Sequence, residues 1–63
     1  MPLVNITMLE GRSPDKIEAL IKNVTETVAN TLEAPKQNVR IVIHEVPKTH
    51  FGIGGESAKN LGR

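Results

Sequence analysis

The sequence predicts a small α/β fold: a βαβ unit with two parallel strands, one long amphipathic helix and a short C-terminal hairpin, assembled as an oligomer. Two short segments rich in β-branched residues flank one long segment of helical period. A crossover of that length favours parallel strands with a right-handed connection. We expect a single domain over residues 1–63, whose small core and lack of cysteine make oligomerisation the expected source of stability.

The first predicted strand is residues 2–9, "PLVNITML". Val4, Ile6 and Met8 fall on one face, and polar side chains fall between them. Gly11 permits a turn after the strand, and the helix is expected to follow directly.

The helix has recognisable start and stop signals. Ser13 is a favourable N-cap, and Pro14 suits the first helical position, where its missing N–H costs nothing. Pro35 is expected to end the helix, because a proline disfavours helical geometry at the preceding Ala34. The apolar stripe between them, about five turns long, consists of Ile17, Leu20, Ile21, Val24, Val28 and Leu32.

The second predicted strand is residues 39–46, "VRIVIHEV". Val39, Ile41 and Ile43 share the face that the helix is expected to cover. The opposite face is half apolar, and a two-stranded sheet leaves both edges unpaired. We therefore expect that face and those edges to be buried between subunits. The glycine-rich tail, "HFGIGGE", favours a short hairpin or an arm that reaches onto a neighbour.

Composition excludes several classes of function. Eight basic and seven acidic residues give a formal charge of +1, and there is one aromatic residue, so a dense cationic face for nucleic acid is absent. No segment has the length of a membrane span or the apolar region of a signal peptide, and we expect a cytoplasmic protein. His44 and His50 alone cannot close a metal site.

Pro2 is the first candidate for chemistry. If Met1 is removed, Pro2 becomes a secondary amine in a rigid ring, and a terminal amino group has an ordinary pKa of about 7.7–8.0. Burial or nearby cations lower the pKa of an amine, which gives a base suited to neutral pH. The structural alternative is that Pro2 merely begins a strand.

Two arginines and one aromatic residue are the other candidates. Arg12 follows a glycine in a loop, where a solvated charge is the common alternative to a ligand clamp. Arg40 interrupts a strand of Val and Ile on a face that we expect to be buried, and its guanidinium suits a carboxylate. Phe51 is either a core residue or the apolar wall of a pocket. Strand parity places Arg40 away from the helix and Pro2 towards it, which favours a site completed by more than one subunit.

These residues, together with the "LEGRS" turn that holds Arg12 and the "HFGIGGE" tail, resemble the 4-oxalocrotonate tautomerases, also called 2-hydroxymuconate tautomerases, over the full length of the chain. The resemblance implies the tautomerase fold and a homohexamer built as a trimer of dimers. It also implies an isomerase that needs no metal or organic cofactor and acts on a small dicarboxylate or oxo-acid.

The resemblance further implies roles for individual residues. Pro2 would move a proton from the 2-hydroxyl of 2-hydroxymuconate to carbon 5, giving 2-oxo-3-hexenedioate in the catabolism of aromatic compounds. Arg12 would bind the distal carboxylate, and Arg40 of a neighbouring subunit the other carboxylate and the 2-oxygen. Phe51 would line the pocket and keep the pKa of Pro2 low.

The backbone near Leu9 and Asn38 is also implied in substrate binding, although related enzymes often carry a hydroxyl residue where Asn38 stands.

Two alternatives remain open. A haloacrylate dehalogenase or hydratase of the same superfamily needs a carboxylate to activate water, and Ile53 occupies the position where one branch carries it. Promiscuous action on other enols is compatible with that residue. A non-catalytic oligomeric binding module, in which Pro2 and the arginines serve only packing, is the alternative from another class.

Overall fold

A computed structural model describes all residues, 1–63. The predicted order of strand, helix, strand and hairpin is confirmed, and two short 3₁₀ turns lie between the larger elements. The elements are β1 (Leu3–Leu9), α1 (Pro14–Leu32), a 3₁₀ turn (Lys36–Asn38), β2 (Arg40–Val46), a second 3₁₀ turn (Lys48–His50), β3 (Gly52–Ile53) and β4 (Glu56–Ser57).

β1 and β2 form a parallel two-stranded sheet. Leu3 lies opposite Arg40, and the register runs to Leu9 opposite Val46. Because side chains alternate across a strand, one face carries the half-buried Val4, Ile6 and Met8, and the other carries Arg40 and its neighbours. We call this second face, formed by Leu3, Asn5, Thr7, Leu9, Arg40, Val42, His44 and Val46, the open face.

The helix begins and ends where the sequence predicts, and a left-handed residue forms its C-cap. The Ser13 side chain accepts a hydrogen bond from the Lys16 N–H at 3.3 Å, and Pro14 is the first helical residue. The helix ends at Leu32 because Glu33 adopts the left-handed region, with φ +55°. The helix therefore stops before Pro35, as predicted, and its 19 residues match the predicted length of about five turns. Pro35 begins the next turn.

The subunit has very little interior. Only Ala29, Val39 and Ala58 are buried. The radius of gyration is 14.6 Å, against roughly 11 Å for a compact domain of this length. The accessible surface is 4725 Å², against about 4,000 Å² for a folded monomer of this mass. A chain of this shape leaves apolar surface that a single subunit does not cover.

The C-terminal segment contains the predicted hairpin. Gly54 and Gly55 both have positive φ, +61° and +91°, as tight hairpin turns require. The Ala58 N–H donates to the Phe51 carbonyl at 2.7 Å, which holds the segment after β4 against the residue before β3. Across the whole chain, no helix has both the length and the apolar composition needed to cross a membrane.

Candidate active site

Pro2 and Arg40 are joined through the main chain. Pro2 lies just before β1 and is half-buried, and its carbonyl accepts a hydrogen bond from the Arg40 N–H at 3.0 Å. Met1 precedes it and is 81% exposed. While Met1 is attached, the Pro2 nitrogen is an amide and is not basic, so any base at this position depends on removal of Met1.

The Arg40 side chain is exposed, and it is held by the turn that precedes β2. One guanidinium nitrogen, Nη1, donates to the Gln37 carbonyl. The turn itself is attached to the helix, because Lys36 Nζ lies 3.4 Å from Glu26 Oε1. Asn38 is exposed at the end of the same turn, and its N–H donates to the Pro35 carbonyl at 3.0 Å. Arg40 and Asn38 therefore lie at the same end of the sheet as Pro2.

Leu9 and Arg12 lie at the opposite end. Leu9 is the last residue of β1, and a strand rises about 3.3 Å per residue, so Leu9 is about 23 Å from Pro2. Arg12 lies beyond it, exposed, between Gly11 and the helix cap, and has no ion-pair partner within the chain. Pro2 and Arg12 of one chain thus cannot contact the same small substrate.

Phe51 belongs to the C-terminal segment. It is half-buried and follows the second 3₁₀ turn, and its carbonyl is the acceptor for Ala58. The single chain encloses no pocket. No three histidine, cysteine, aspartate or glutamate side chains lie close enough together to hold a metal ion.

The six candidate residues therefore occupy three separate places in one chain. Pro2, Arg40 and Asn38 are at the amino ends of the strands, Leu9 and Arg12 follow the carboxyl end of β1, and Phe51 is in the tail. Sequence reasoning missed the Gln37 carbonyl and the pairing of Lys36 with Glu26. The only local signal for that turn is Pro35, whose fixed φ suits the start of a tight turn.

Comparisons with known proteins agree on one family. A family model described as "Tautomerase enzyme" matches residues 2–60. The chain is similar to a 2-hydroxymuconate tautomerase of Stutzerimonas stutzeri, with 54% identity over all of both chains.

Two solved structures show the same fold. One is of the 4-oxalocrotonate tautomerase isozymes from Methylibium petroleiphilum, with TM-score 0.92 and 48% identity over 98% of this chain and 100% of that one. The other is of a heterohexamer 4-oxalocrotonate tautomerase from Chloroflexus aurantiacus, with TM-score 0.91 and 41% identity over 97% and 98% of the two chains.

Proposed function

Because the chain belongs to the tautomerase family, we propose that it catalyses the conversion of 2-hydroxymuconate to 2-oxo-3-hexenedioate, with residues 1–63 acting as one tautomerase domain. The substrate follows from the similarity to 2-hydroxymuconate tautomerases over the whole chain. The reaction is an isomerisation: one O–H bond breaks, one C–H bond forms at carbon 5, and no external oxidant or reductant is needed.

The match to this family over the whole chain carries the proposed activity, and the separation of Pro2 from Arg12 carries the proposal that subunits share the site. A six-carbon diacid is far shorter than the distance of about 23 Å between Pro2 and Leu9, the end of β1 that leads to Arg12. The active site is therefore formed by several subunits. Antiparallel pairing of the free β1 edges about a two-fold axis brings Leu9 and Arg12 of one chain towards Pro2 of another.

The assembly we propose is a homohexamer, a trimer of such dimers. Pairing of the β1 edges produces the dimer, and packing of the open faces around a three-fold axis produces the hexamer. The large accessible surface and the nearly absent interior of the subunit support this assembly, as does the heterohexameric form of a similar protein.

Pro2, freed by removal of Met1, is the proton carrier. Its nitrogen takes the proton from the 2-hydroxyl group and returns it to carbon 5. A terminal amine has an ordinary pKa of about 7.7–8.0, so roughly 10–17% of it is unprotonated at pH 7. A positioned base of this kind contributes typically about 10²- to 10⁴-fold to the rate.

The two arginines bind the ends of the diacid. Arg12 binds the distal carboxylate and draws electron density towards it as the dienol rearranges. Arg40, from a neighbouring subunit, binds the other carboxylate and the 2-oxygen, where negative charge develops when the hydroxyl proton leaves. Guanidinium groups suit both tasks because they keep their charge and bind a carboxylate through two hydrogen bonds.

The remaining residues shape the pocket. Phe51 provides an apolar wall that excludes water and disfavours the protonated form of the amine, which lowers the pKa of Pro2. The backbone near Leu9 and Asn38 supplies further contacts to the substrate.

The test is the decay of the ultraviolet absorbance of 2-hydroxymuconate with purified protein whose loss of Met1 has been checked by mass spectrometry of the intact chain. A Pro2→Ala variant that assembles normally and loses most of the turnover supports the proposal. Unchanged turnover in that variant supports the non-catalytic binding module instead.

A further inference from the structure

Arg40 satisfies the Gln37 carbonyl with its side chain because its own N–H is used elsewhere. In a continuing 3₁₀ helix each carbonyl accepts from the N–H three residues later. The first two carbonyls of this turn follow that rule: Asn38 donates to Pro35 and Val39 to Lys36, each at 3.0 Å. The next N–H in the series belongs to Arg40, and it donates to Pro2.

The Gln37 carbonyl is therefore left without a main-chain donor and accepts from the Arg40 guanidinium instead. The guanidinium has five donors, so four N–H groups stay available for a carboxylate. A side chain with one donor already fixed loses less rotational freedom when it binds a ligand.

The turn is held in place at its amino-terminal end. Pro35 has φ −62° at its start. Lys36 lies 3.4 Å from Glu26 on the helix, the only ion pair in the chain, with side-chain exposures of 63% and 39%. This ion pair links the turn to the helix, and the same turn carries the carbonyl that accepts from Arg40.

We propose that Glu26 and Lys36 are positioning residues for the reaction: their ion pair fixes the Lys36–Asn38 turn, whose Gln37 carbonyl aims the Arg40 guanidinium at the substrate carboxylate. The proposal rests on the proposed function for its catalytic consequence, since the role of Arg40 is part of that function. The geometry of the turn and of the guanidinium does not depend on the substrate.

The kinetic test uses Lys36→Met and Glu26→Gln in the assembled protein without Met1, with Lys22→Met as the matched control, since Lys22 is exposed and has no ion pair. An exposed pair of this kind contributes little, so we expect KM for 2-hydroxymuconate to rise about two- to fivefold in both variants at low salt. The value of kcat changes less, and the control stays near the parent.

The directions in which KM shifts in Lys36→Met and Glu26→Gln distinguish a positioning effect from a long-range electrostatic effect on the substrate. Loss of Lys36 lowers the net positive charge and loss of Glu26 raises it, so a field effect on a dianionic substrate moves KM in opposite directions. Positioning moves KM upward in both. The charge-reversed double variant, Glu26→Lys with Lys36→Glu, is expected to restore KM, and in an Arg40→Ala background Lys36→Met is expected to have no further effect.

A spectroscopic test distinguishes failure of this proposal from failure of the proposed function. The chain has three arginines, so its Nε–H NMR signals are few. We expect the Arg40 signal to broaden or exchange faster in Lys36→Met, with Arg12 and Arg63 unchanged. If the Arg40 signal changes in this way and the parent protein does not turn over 2-hydroxymuconate, the positioning role is supported and the proposed function is wrong. An unchanged Arg40 signal, or opposite KM shifts in the two variants, overturns the positioning.

Discussion

Val42 offers a direct test of whether the open face is an interface between subunits. It lies at the centre of that face, opposite Asn5, and is 38% exposed in the single chain. A lysine at this position can reach water in the free subunit, so the subunit should fold. In the proposed hexamer the same lysine is enclosed beside Arg40 of its own strand, without an acidic partner on the open face.

The expected size of the effect follows from the cost of burying an unpaired charge, which is several kcal/mol per ion. A cost of about 3 kcal/mol for each buried lysine weakens the association of subunits roughly 150-fold for each interface that contains it. Sedimentation velocity at micromolar concentration is expected to show Val42→Lys shifted from six times the subunit mass of 6.9 kDa towards smaller species. Turnover should fall in parallel, because the shared active sites disappear.

Two controls make the result specific. Asn23→Lys places the same charge on the exposed polar side of the helix and should leave assembly unchanged. Val42→Thr keeps the shape of the side chain. This variant should form the hexamer at nearly the same protein concentration as the parent protein. If Val42→Lys remains hexameric and fully active, the open face is not an interface and the proposed three-fold packing is wrong.

Three further predictions concern the site and the fold. A Gly-Ser extension before Pro2 turns the Pro2 nitrogen into an amide, so kcat/KM should fall about 10²- to 10⁴-fold while the oligomer still forms. Full activity in the ultraviolet assay would contradict the role of the amine. Arg12→Gln should raise KM and lower kcat for the diacid; steady-state kinetics equal to the parent would remove Arg12 from the site. Ser13→Ala should cost about 1 kcal/mol of unfolding free energy in urea titration, because the Lys16 N–H loses its side-chain acceptor. An unchanged midpoint contradicts the capping role.

Local signals in the sequence predicted most of the fold. The start of the helix was predictable because Ser13 and Pro14 act locally. Ser13 caps an N–H three residues along the chain, and Pro14 fixes its own backbone angle. The alternation in each strand correctly assigned the covered and open faces because side chains alternate along any strand. The left-handed C-cap of the helix was not predictable in the same way, since a left-handed Glu33 has no sequence signal comparable to glycine.

The arrangement of the candidate site was predictable only in part. Strand parity predicts that Pro2 and Arg40 face different sides, and a site completed by more than one subunit stays a prediction. The hydrogen bond between Arg40 and Gln37 could not be predicted, because it arises only when the Arg40 N–H is taken by Pro2 at the far end of the chain. Contacts that depend on such long-range pairing leave no periodic pattern in the sequence.

The distance between Pro2 and Arg12 has a genetic consequence under the shared-site proposal. A chain that has lost its amine still presents an intact guanidinium to its neighbour, and a chain that has lost Arg12 still presents its amine. Two gene copies that are each inactive alone can therefore complement one another when they are co-expressed. Duplicated copies are free to diverge, because neither has to retain the complete set of functional residues.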